Sequence, residues 1–584
     1  MPPTRLLPRD IEVKRSDPIY MAHAYLTKVP VPAIIPFIEA FTVPGDVVAD
    51  VFAGSGMTGV AAVACGRSAK LSDVSVLGQH IGRGYLNLVD SGLLRSTASK
   101  VIEQTYSRLG GTYGVRCSAC ARDALLAKTV WSMVFRCPGC AGAVNFYDSL
   151  EAADWHKSKM HCPHCQASFT SRSERIGEAP CVDFIDCTCS RSQIEQPNSA
   201  PLSGPTLQGL DVPDLPIDAS RQMYVASALG RNGFTSTASF FSTRNLQALT
   251  VLRDEIGRVD DPALAPKLLF AFTAILSRAS KRYQWSKARP LNAANANYYV
   301  APVFYEWNVL DLFDRKVDAI IKANDWLLGQ QGDGSLFGTT TASAEYVRAS
   351  AVSLPYSDHS IDYVFTDPPF GSNIFYADMN LFHEAWIGET TILEDEAVVD
   401  RSKTSADFRG PERYERMLTE ALRECRRVLK PDGYLSMVFG NSSGAVWSLV
   451  QRAVAAAGFI IEPEMIATLD KGQRSVKGLA SGFEHVATID LILTMRASDD
   501  PQPELGRPEH EEVRAVTRVL ALSESLDTPS HLYVALLRAG LQRGWDLGTL
   551  DLRDVTAVLS DLGYGVDGKT GRLVRSSSGS ANSR

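Results

Sequence analysis

Residues 46–64 read DVVADVFAGSGMTGVAAVA, an apolar run that passes through a two-glycine loop straight into a small-residue helical stretch. A strand of this kind, over 47–52, needs a neighbouring sheet and helices to cover its faces, which points to an α/β fold. Gly54 and Gly56 let the backbone approach a ligand closely, and the helix beyond presents unpaired N–H groups. Gly66 stands where a glycine would end that helix. A second strand is predicted around 70–74, then a helix over 77–90. Asp73, about twenty residues beyond the loop, is placed to accept hydrogen bonds from ribose hydroxyls. Gly54-Ser55-Gly56-Met57-Thr58-Gly59 also matches GxGxxG, a weak signal alone. The loop therefore predicts a nucleoside cofactor without saying which one.

The chemistry is read from a distant tetrapeptide. A strand is predicted over 362–366, and at its end stands Asp367-Pro368-Pro369-Phe370. Strand ends of this kind face the ligand crevice of an open α/β sheet. Two prolines fix φ and remove two N–H donors, leaving carbonyls to face a ligand. An aspartate beside such a carbonyl makes a pair of acceptors, and Phe370 adds a flat apolar face. That set suits the exocyclic amine of a nucleobase. Its lone pair is delocalised into the ring, and two acceptors on its hydrogens would free it to attack a methyl sulfonium while the flipped base stacks on the phenyl ring. Hydride transfer has no use for this tetrapeptide, so the cofactor reading moves from NAD to S-adenosylmethionine.

Between the two motifs lies a cysteine cluster. The chain has 11 Cys, and nine fall between Cys117 and Cys189. Clustered CxxC pairs without a secretory leader read as metal ligands, not disulfides. Cys117/Cys120, Cys137/Cys140 and Cys162/Cys165 are knuckles, followed by Cys181, Cys187 and Cys189. Eight thiolates, those of the knuckles with Cys187 and Cys189, would hold about two structural Zn2+ ions. Two pairings are open. Cys117/Cys120 can join Cys137/Cys140, with Cys162/Cys165 joining Cys187/Cys189; or Cys137/Cys140 can join Cys162/Cys165 in a nested arrangement. His161 and His164 flank Cys162 as substitute ligands. Cys65 and Cys425 sit in helical patterns as core thiols.

At 584 residues, the chain has room for about three to five domains, or one with large insertions. A net charge of −7 excludes a uniformly basic nucleic-acid coat but not a local groove. Such a groove is read at Arg278, Lys281, Arg282, Tyr283, Trp285, Lys287 and Arg289, where cations interleave with aromatics. Residues 197–218 are Pro-rich and read as an extended connector, and 242–285 as helical with Ser242 or Thr243 as N-cap. A Gly-rich break over 329–338 precedes a return to α/β alternation. Residues 412–429 read as a helix, Pro431-Asp432-Gly433 as a turn, 434–439 as a strand, 446–457 as a helix stopped by Gly458, and 485–495 as a strand. A separate helical pattern, 508–563, is predicted to pack on the core or recruit a partner, and the Ser-rich end to be disordered. No apolar run reaches the roughly 18–20 residues a membrane span needs, and the N-terminus lacks a leader's apolar stretch. The expectation is a soluble cytoplasmic, nucleoid-associated protein without a membrane partner.

Taken together, Phe52–Gly56, Asp367–Phe370, the runs TDPPFGSNIFYADMN and RVLKPDGYLSMVFGN, and the cysteine knuckles resemble the adenine-specific (N6) DNA methyltransferases that carry zinc ribbons. The resemblance covers roughly 20–90 and 345–495, in the order cofactor region, insert, catalytic region. It implies a Rossmann-like S-adenosylmethionine methyltransferase sheet, split by a zinc-ribbon and helical insertion and followed by a small helical region. The implied division is 1–95 and 341–498 for the two halves, 96–195 for the ribbon, 196–340 for linker and target recognition, 499–571 for the helical region and 572–584 for a disordered tail. Asp367 and the Pro368 carbonyl would orient the amine, Pro369 would stiffen the turn and Phe370 would stack. Thr27, Lys28, Asp50, Phe52, Gly54, Ser55, Gly56 and Asp73 would hold the cofactor. Double-stranded DNA is the implied partner, with restriction or phage-defence subunits beside it. The sequence departs from the family pattern in Phe370, where Tyr is commoner, and in Ala49–Phe52, where Leu-Asp-Pro-Phe is common. An RNA amino-methyltransferase uses a similar tetrapeptide, and a non-catalytic DNA-binding component on this scaffold is the reading from another class.

Overall fold

The computed structural model describes residues 7–13, 17–26, 28–287, 298–332, 342–371, 374–399, 410–470, 488–499, 504–523, 528–567 and 572–575. Its main sheet runs in the order Asp10–Glu12, Ala467–Asp470, Ile489–Ala497, Leu429–Phe439, Ile361–Thr366, Val47–Asp50, Ser68–Asp73, Ala344–Arg348, with Phe459–Ile461 also paired to Ile489–Ala497. From Ala344–Arg348 across to Leu429–Phe439 neighbouring strands are parallel, and Ile489–Ala497 runs antiparallel. The chain leaves Val47–Asp50 towards Ser68–Asp73 on one side, and Ile361–Thr366 adjoins it on the other. The glycine loop and the tetrapeptide thus emerge side by side at a topological switch point, where open α/β sheets bind ligands.

Alternation along the strands assigns the two faces. Val48, Tyr363, Phe365 and Ile492 join one apolar core, shared with helices Val31–Phe41, Met57–Ala64 and Val76–Leu86. Ala49, Val364, Met437, Leu491 and Leu493 join the other, covered by helices Pro411–Val428, Gly444–Ala456 and Pro529–Gln542. Both faces are buried, which explains why the central strands read as continuous apolar runs. The local signals hold at several ends: Gly66 and Gly458 adopt positive φ just beyond their helices, and the Ser242 side chain caps Thr243–Gly257.

Several expectations are corrected. Pro431-Asp432-Gly433 is no turn between elements but an irregularity inside one strand, Leu429–Phe439, with Asp432 at φ 68°; pairing jumps from Ile361–Leu429 to Tyr363–Tyr434. Val303–Trp307, from the stretch read as linker and helices, pairs with Asp123–Arg136 and so completes the second sheet. A five-residue strand does not announce its partner in its own sequence. That antiparallel sheet also holds Gly114–Arg116, Ala143–Asn145, Arg175–Asp186 and Ile194–Pro197. The C-terminal helices do pack on the core, with Leu532, Leu536, Val555 and Leu559 in the second apolar cluster. Within the expected tail, Leu573–Arg575 pairs with Tyr564–Val566; residues 576–584 lie outside the described residues. Among the described residues, no helix is long and apolar enough to cross a membrane.

Candidate active site

A cavity with about 1000 Å³ of empty volume, open mouth included, lies at the switch point. Its wall brings together Asp50, Phe52, Gly54, Ser55 and Asp73 from one half of the sheet with Asp367 and Pro369 from the other. The two motifs, more than 300 residues apart in the chain, therefore share one cavity.

Asp50 is the tie between them. One of its oxygens accepts the Phe52 N–H (3.1 Å) and the Thr366 hydroxyl (2.7 Å), and the other accepts the Thr58 hydroxyl (2.6 Å). Burial pushes its carboxyl up to about 6 despite these three donors. Asp73 ends its strand and receives Gly54 N–H and Ser75 N–H, both at 2.8 Å, and burial raises its pKa as well. The Gly54 N–H is thus spent inside the protein.

The two glycines have different jobs. A Cβ on Gly54 would stand 3.1 Å from the Tyr25 ring, a residue of the cavity wall. Gly56, at φ +77°, faces away: its Cβ would come within 2.8 Å of the Gly82 backbone on the next helix. Close helix packing, not ligand approach, is the constraint there, which corrects the cofactor role expected for Gly56. Gly78 completes the arrangement, since a Cβ there would lie 2.8 Å from the Gly54 carbonyl.

Lys28 has a structural task beside the cavity. It borders the cavity, but its ammonium donates to the Tyr20 (2.7 Å) and His23 (2.8 Å) carbonyls. Burial lowers its pKa to about 7. It clamps the N-terminal segment that carries Tyr25. Thr27 lies outside the described residues. Tyr25 belongs to the stretch Tyr25–Lys28 that the family resemblance sets over the cofactor; sequence reasoning missed Ser75, Ala351, Val352, Tyr376 and Asn380, which like Tyr25 are in the cavity wall. The Tyr25 and Tyr376 rings stack at 6.3 Å, and Asn380 donates to Ser75 at 2.9 Å. Only the TDPPFGSNIFYADMN run hinted at Tyr376 and Asn380.

The tetrapeptide is held from behind. The Pro369 carbonyl accepts the Tyr414 hydroxyl at 2.5 Å, and the Phe370 carbonyl accepts the Asn441 amide at 3.0 Å. Pro368 is buried, and Phe370 is half-buried with its ring 5.0 Å from that of Phe439.

In the insertion, eight thiols fall into two sets, Cys117/Cys120/Cys187/Cys189 and Cys137/Cys140/Cys162/Cys165. This is the nested pairing; the sequential alternative is not seen. Sulfur–sulfur distances are 3.4–3.7 Å in the first set and 3.6–3.7 Å in the second. A tetrahedral zinc with Zn–S of about 2.3 Å needs edges of about 3.8 Å, so both sets fit one. His161 and His164 instead hydrogen-bond the Lys159 and Ala143 carbonyls.

The expected basic groove largely dissolves. Arg282 is 3% exposed, over the rings of Tyr298 and Phe382, and Tyr283 is 6% exposed; neither reaches a phosphate. Lys281 pairs with Glu178 at 2.7 Å. Arg289 lies outside the described residues. Arg278 and Lys287 are exposed, and half-buried Trp285 packs 5.2 Å from Trp155, over which Lys287 sits at 4.6 Å.

Residues 9–90 match the family model of DNA methylases of the N6/N4 class. That stretch includes the glycine loop and Asp73, and the match supports a methyltransferase. No curated protein matches the chain. Among solved structures it is similar to a protein assigned as a DNA modification methylase from Thermus thermophilus, with 17% identity over 29% of this chain and 57% of that one, at a TM-score of 0.16. It is also similar to the [4+2]-cyclase SpnF, with 16% identity over 26% of this chain and 57% of that one, at a TM-score of 0.15. The chain thus spans a little over half the length of each.

Proposed function

We propose that the chain is an S-adenosylmethionine-dependent DNA methyltransferase acting on the N6 amine of adenine. The observation that carries this reading is the shared cavity, in which the glycine loop and Asp73 meet Asp367 and Pro369. Apolar walls from Leu26, Val29, Met57 and Val352 beside the polar Asp73, Ser75 and Asn380 suit a nucleoside joined to an amino-acid sulfonium. Asp73 would hold ribose hydroxyls with the lone pairs left by Gly54 and Ser75. Bound S-adenosylmethionine would supply an electrophilic methyl group to the N6 lone pair; the new N–C bond would replace the sulfonium C–S bond, whose electrons would stay on sulfur, and the surplus proton would pass to solvent.

Asp367 and the Pro368 carbonyl would accept the amine's two hydrogens, since the Pro369 carbonyl is already taken by Tyr414. Phe370, backed by Phe439, would stack on the flipped base. No strong base is needed before transfer. Asp at position 367 favours adenine over cytosine, by resemblance. The two thiol sets would hold structural zinc, and Trp155, Trp285, Lys287 and Arg278 would contact the DNA. Restriction or phage-defence partners rest on the same resemblance.

The test is Asp367→Ala. S-adenosylmethionine affinity should stay within a few-fold, because the cofactor is held from the other half of the sheet. Single-turnover transfer to duplex DNA should fall by about two to three orders of magnitude, the scale of losing one preorganised polar contact at the reacting group. Near-wild-type transfer would end the mechanism.

A further inference from the structure

Two prolines leave the catalytic turn without two of its backbone donors, so the turn cannot fix its own carbonyls. The structure shows what fixes them. Tyr414 lies on helix Pro411–Val428 and is 1% exposed. Its hydroxyl donates to the Pro369 carbonyl at 2.5 Å. Burial raises its pKa, so it remains a donor at any working pH. Asn441 follows strand Leu429–Phe439 and donates its amide to the Phe370 carbonyl at 3.0 Å. The orientation of that amide is set by its surroundings: its own side-chain oxygen accepts Ser443 N–H at 2.9 Å, and its backbone carbonyl accepts the Trp447 indole at 3.0 Å. Trp447 in turn packs edge-on against Phe439, the ring behind Phe370, at 5.2 Å.

We infer that Tyr414 and Asn441 are positioning residues for the tetrapeptide, acting on transfer rather than on binding. By occupying the Pro369 carbonyl, Tyr414 fixes the peptide plane that follows Pro369, and through the φ-locked pair Pro368-Pro369 it holds the Pro368 carbonyl and the Asp367 carboxylate in a set orientation. Asn441 fixes the next peptide and with it the plane of the Phe370 ring. Neither side chain is in the cavity wall; the Tyr414 hydroxyl and the Asn441 amide are instead turned to backbone carbonyls of the tetrapeptide. This inference rests on the methyltransferase reading. It adds to it that the geometry of the amine-binding acceptors is set by a phenol and an amide from two other elements.

Tyr414→Phe keeps the ring and removes only the donor; Asn441→Asp keeps the shape and replaces the donor by an acceptor facing a carbonyl. Single-turnover transfer at saturating S-adenosylmethionine and duplex DNA should fall about 10- to 100-fold in each, the scale of a misplacement near 1 Å. S-adenosylmethionine affinity by calorimetry and the Kd for DNA should stay within about twofold, and thermal unfolding should show a fully folded population at the assay temperature. With 2-aminopurine at the target, Asn441→Asp should also lower the flipped-base fluorescence, whereas Tyr414→Phe should leave it unchanged. A Tyr414→Phe rate within twofold of wild type overturns the inference. So does a loss of rate that only follows a matching loss of cofactor affinity or folded fraction. If the wild-type protein itself transfers no methyl group, it is the underlying reading that has failed.

Discussion

Asp50 shows how one side chain can hold a site without touching its chemistry. Its three donors come from the glycine loop, from the helix after it and from Thr366, the residue before the tetrapeptide. Its carboxyl is pushed up to about 6, first by burial, against about 3.9 in an unfolded chain. The sign follows directly. Below about pH 4 both states are protonated and this group costs nothing. Between about 4 and 6 the unfolded chain releases the proton that the native state keeps, so stability falls as pH rises, by on the order of 3 kcal/mol in all. Asp50→Asn removes that dependence, so the difference in Tm between variant and wild type should shift in the variant's favour from pH 4 to 6.5. A constant difference across that window would contradict it. Gly56 gives a second prediction. With φ +77° and the Gly82 backbone 2.8 Å from its would-be Cβ, Gly56→Val should cost several kcal/mol and show as loss of folded protein, not as a folded chain that merely fails to bind. A folded, stable Gly56→Val protein would refute this. The sequence showed that glycine was needed here but not which neighbour demanded it, because Gly82 is a helix residue with no signal of its own.

At the scale of elements, the nested thiol pairing makes a sharp prediction about metal content. Cys137 and Cys162 belong to one set, so the double variant Cys137→Ser/Cys162→Ser should lose one zinc of about two and keep the other. Sequential pairing would place them in different sites, and both metals would go. Elemental analysis of protein purified without chelator decides between one and none. Spacing announced knuckles, yet it left their partners open, since pairing depends on strands Asp123–Arg136 and Arg175–Asp186 running antiparallel and bringing chain-distant knuckles together. The basic stretch after Ala279 misled for a related reason. Arg282 and Tyr283 are packed on aromatic rings from other elements, and a cation's burial cannot be read from its neighbours in sequence.

For the whole molecule, the α/β class, the glycine loop and the tetrapeptide were legible because each is a local signal: a glycine-bounded strand end, a rigid diproline turn. What the split chain hid was adjacency. That Val47–Asp50 lies beside Ile361–Thr366 emerges only once the sheet is assembled, and it creates the cavity. The C-terminal helices follow the same logic of burial, since Leu532, Tyr533 and Leu537 share a core with Trp447 and Val450. Ending the chain at residue 499 should expose that face and abolish soluble, cooperatively folding protein, at about 1.5–3 kcal/mol for each large apolar side chain uncovered; a truncated chain with unchanged Tm would show that the region is dispensable. The central claim is tested most directly by the product. The 584-residue chain is incubated with S-adenosylmethionine carrying an isotopically labelled methyl group and with mixed-sequence duplex DNA, and the DNA is digested to nucleosides for mass spectrometry. The account predicts label in N6-methyldeoxyadenosine, dependent on Asp367. Label confined to N4-methyldeoxycytidine, no label in DNA but label in guanine of structured RNA supplied in a parallel reaction, or no label from folded, cofactor-bound protein, would contradict it.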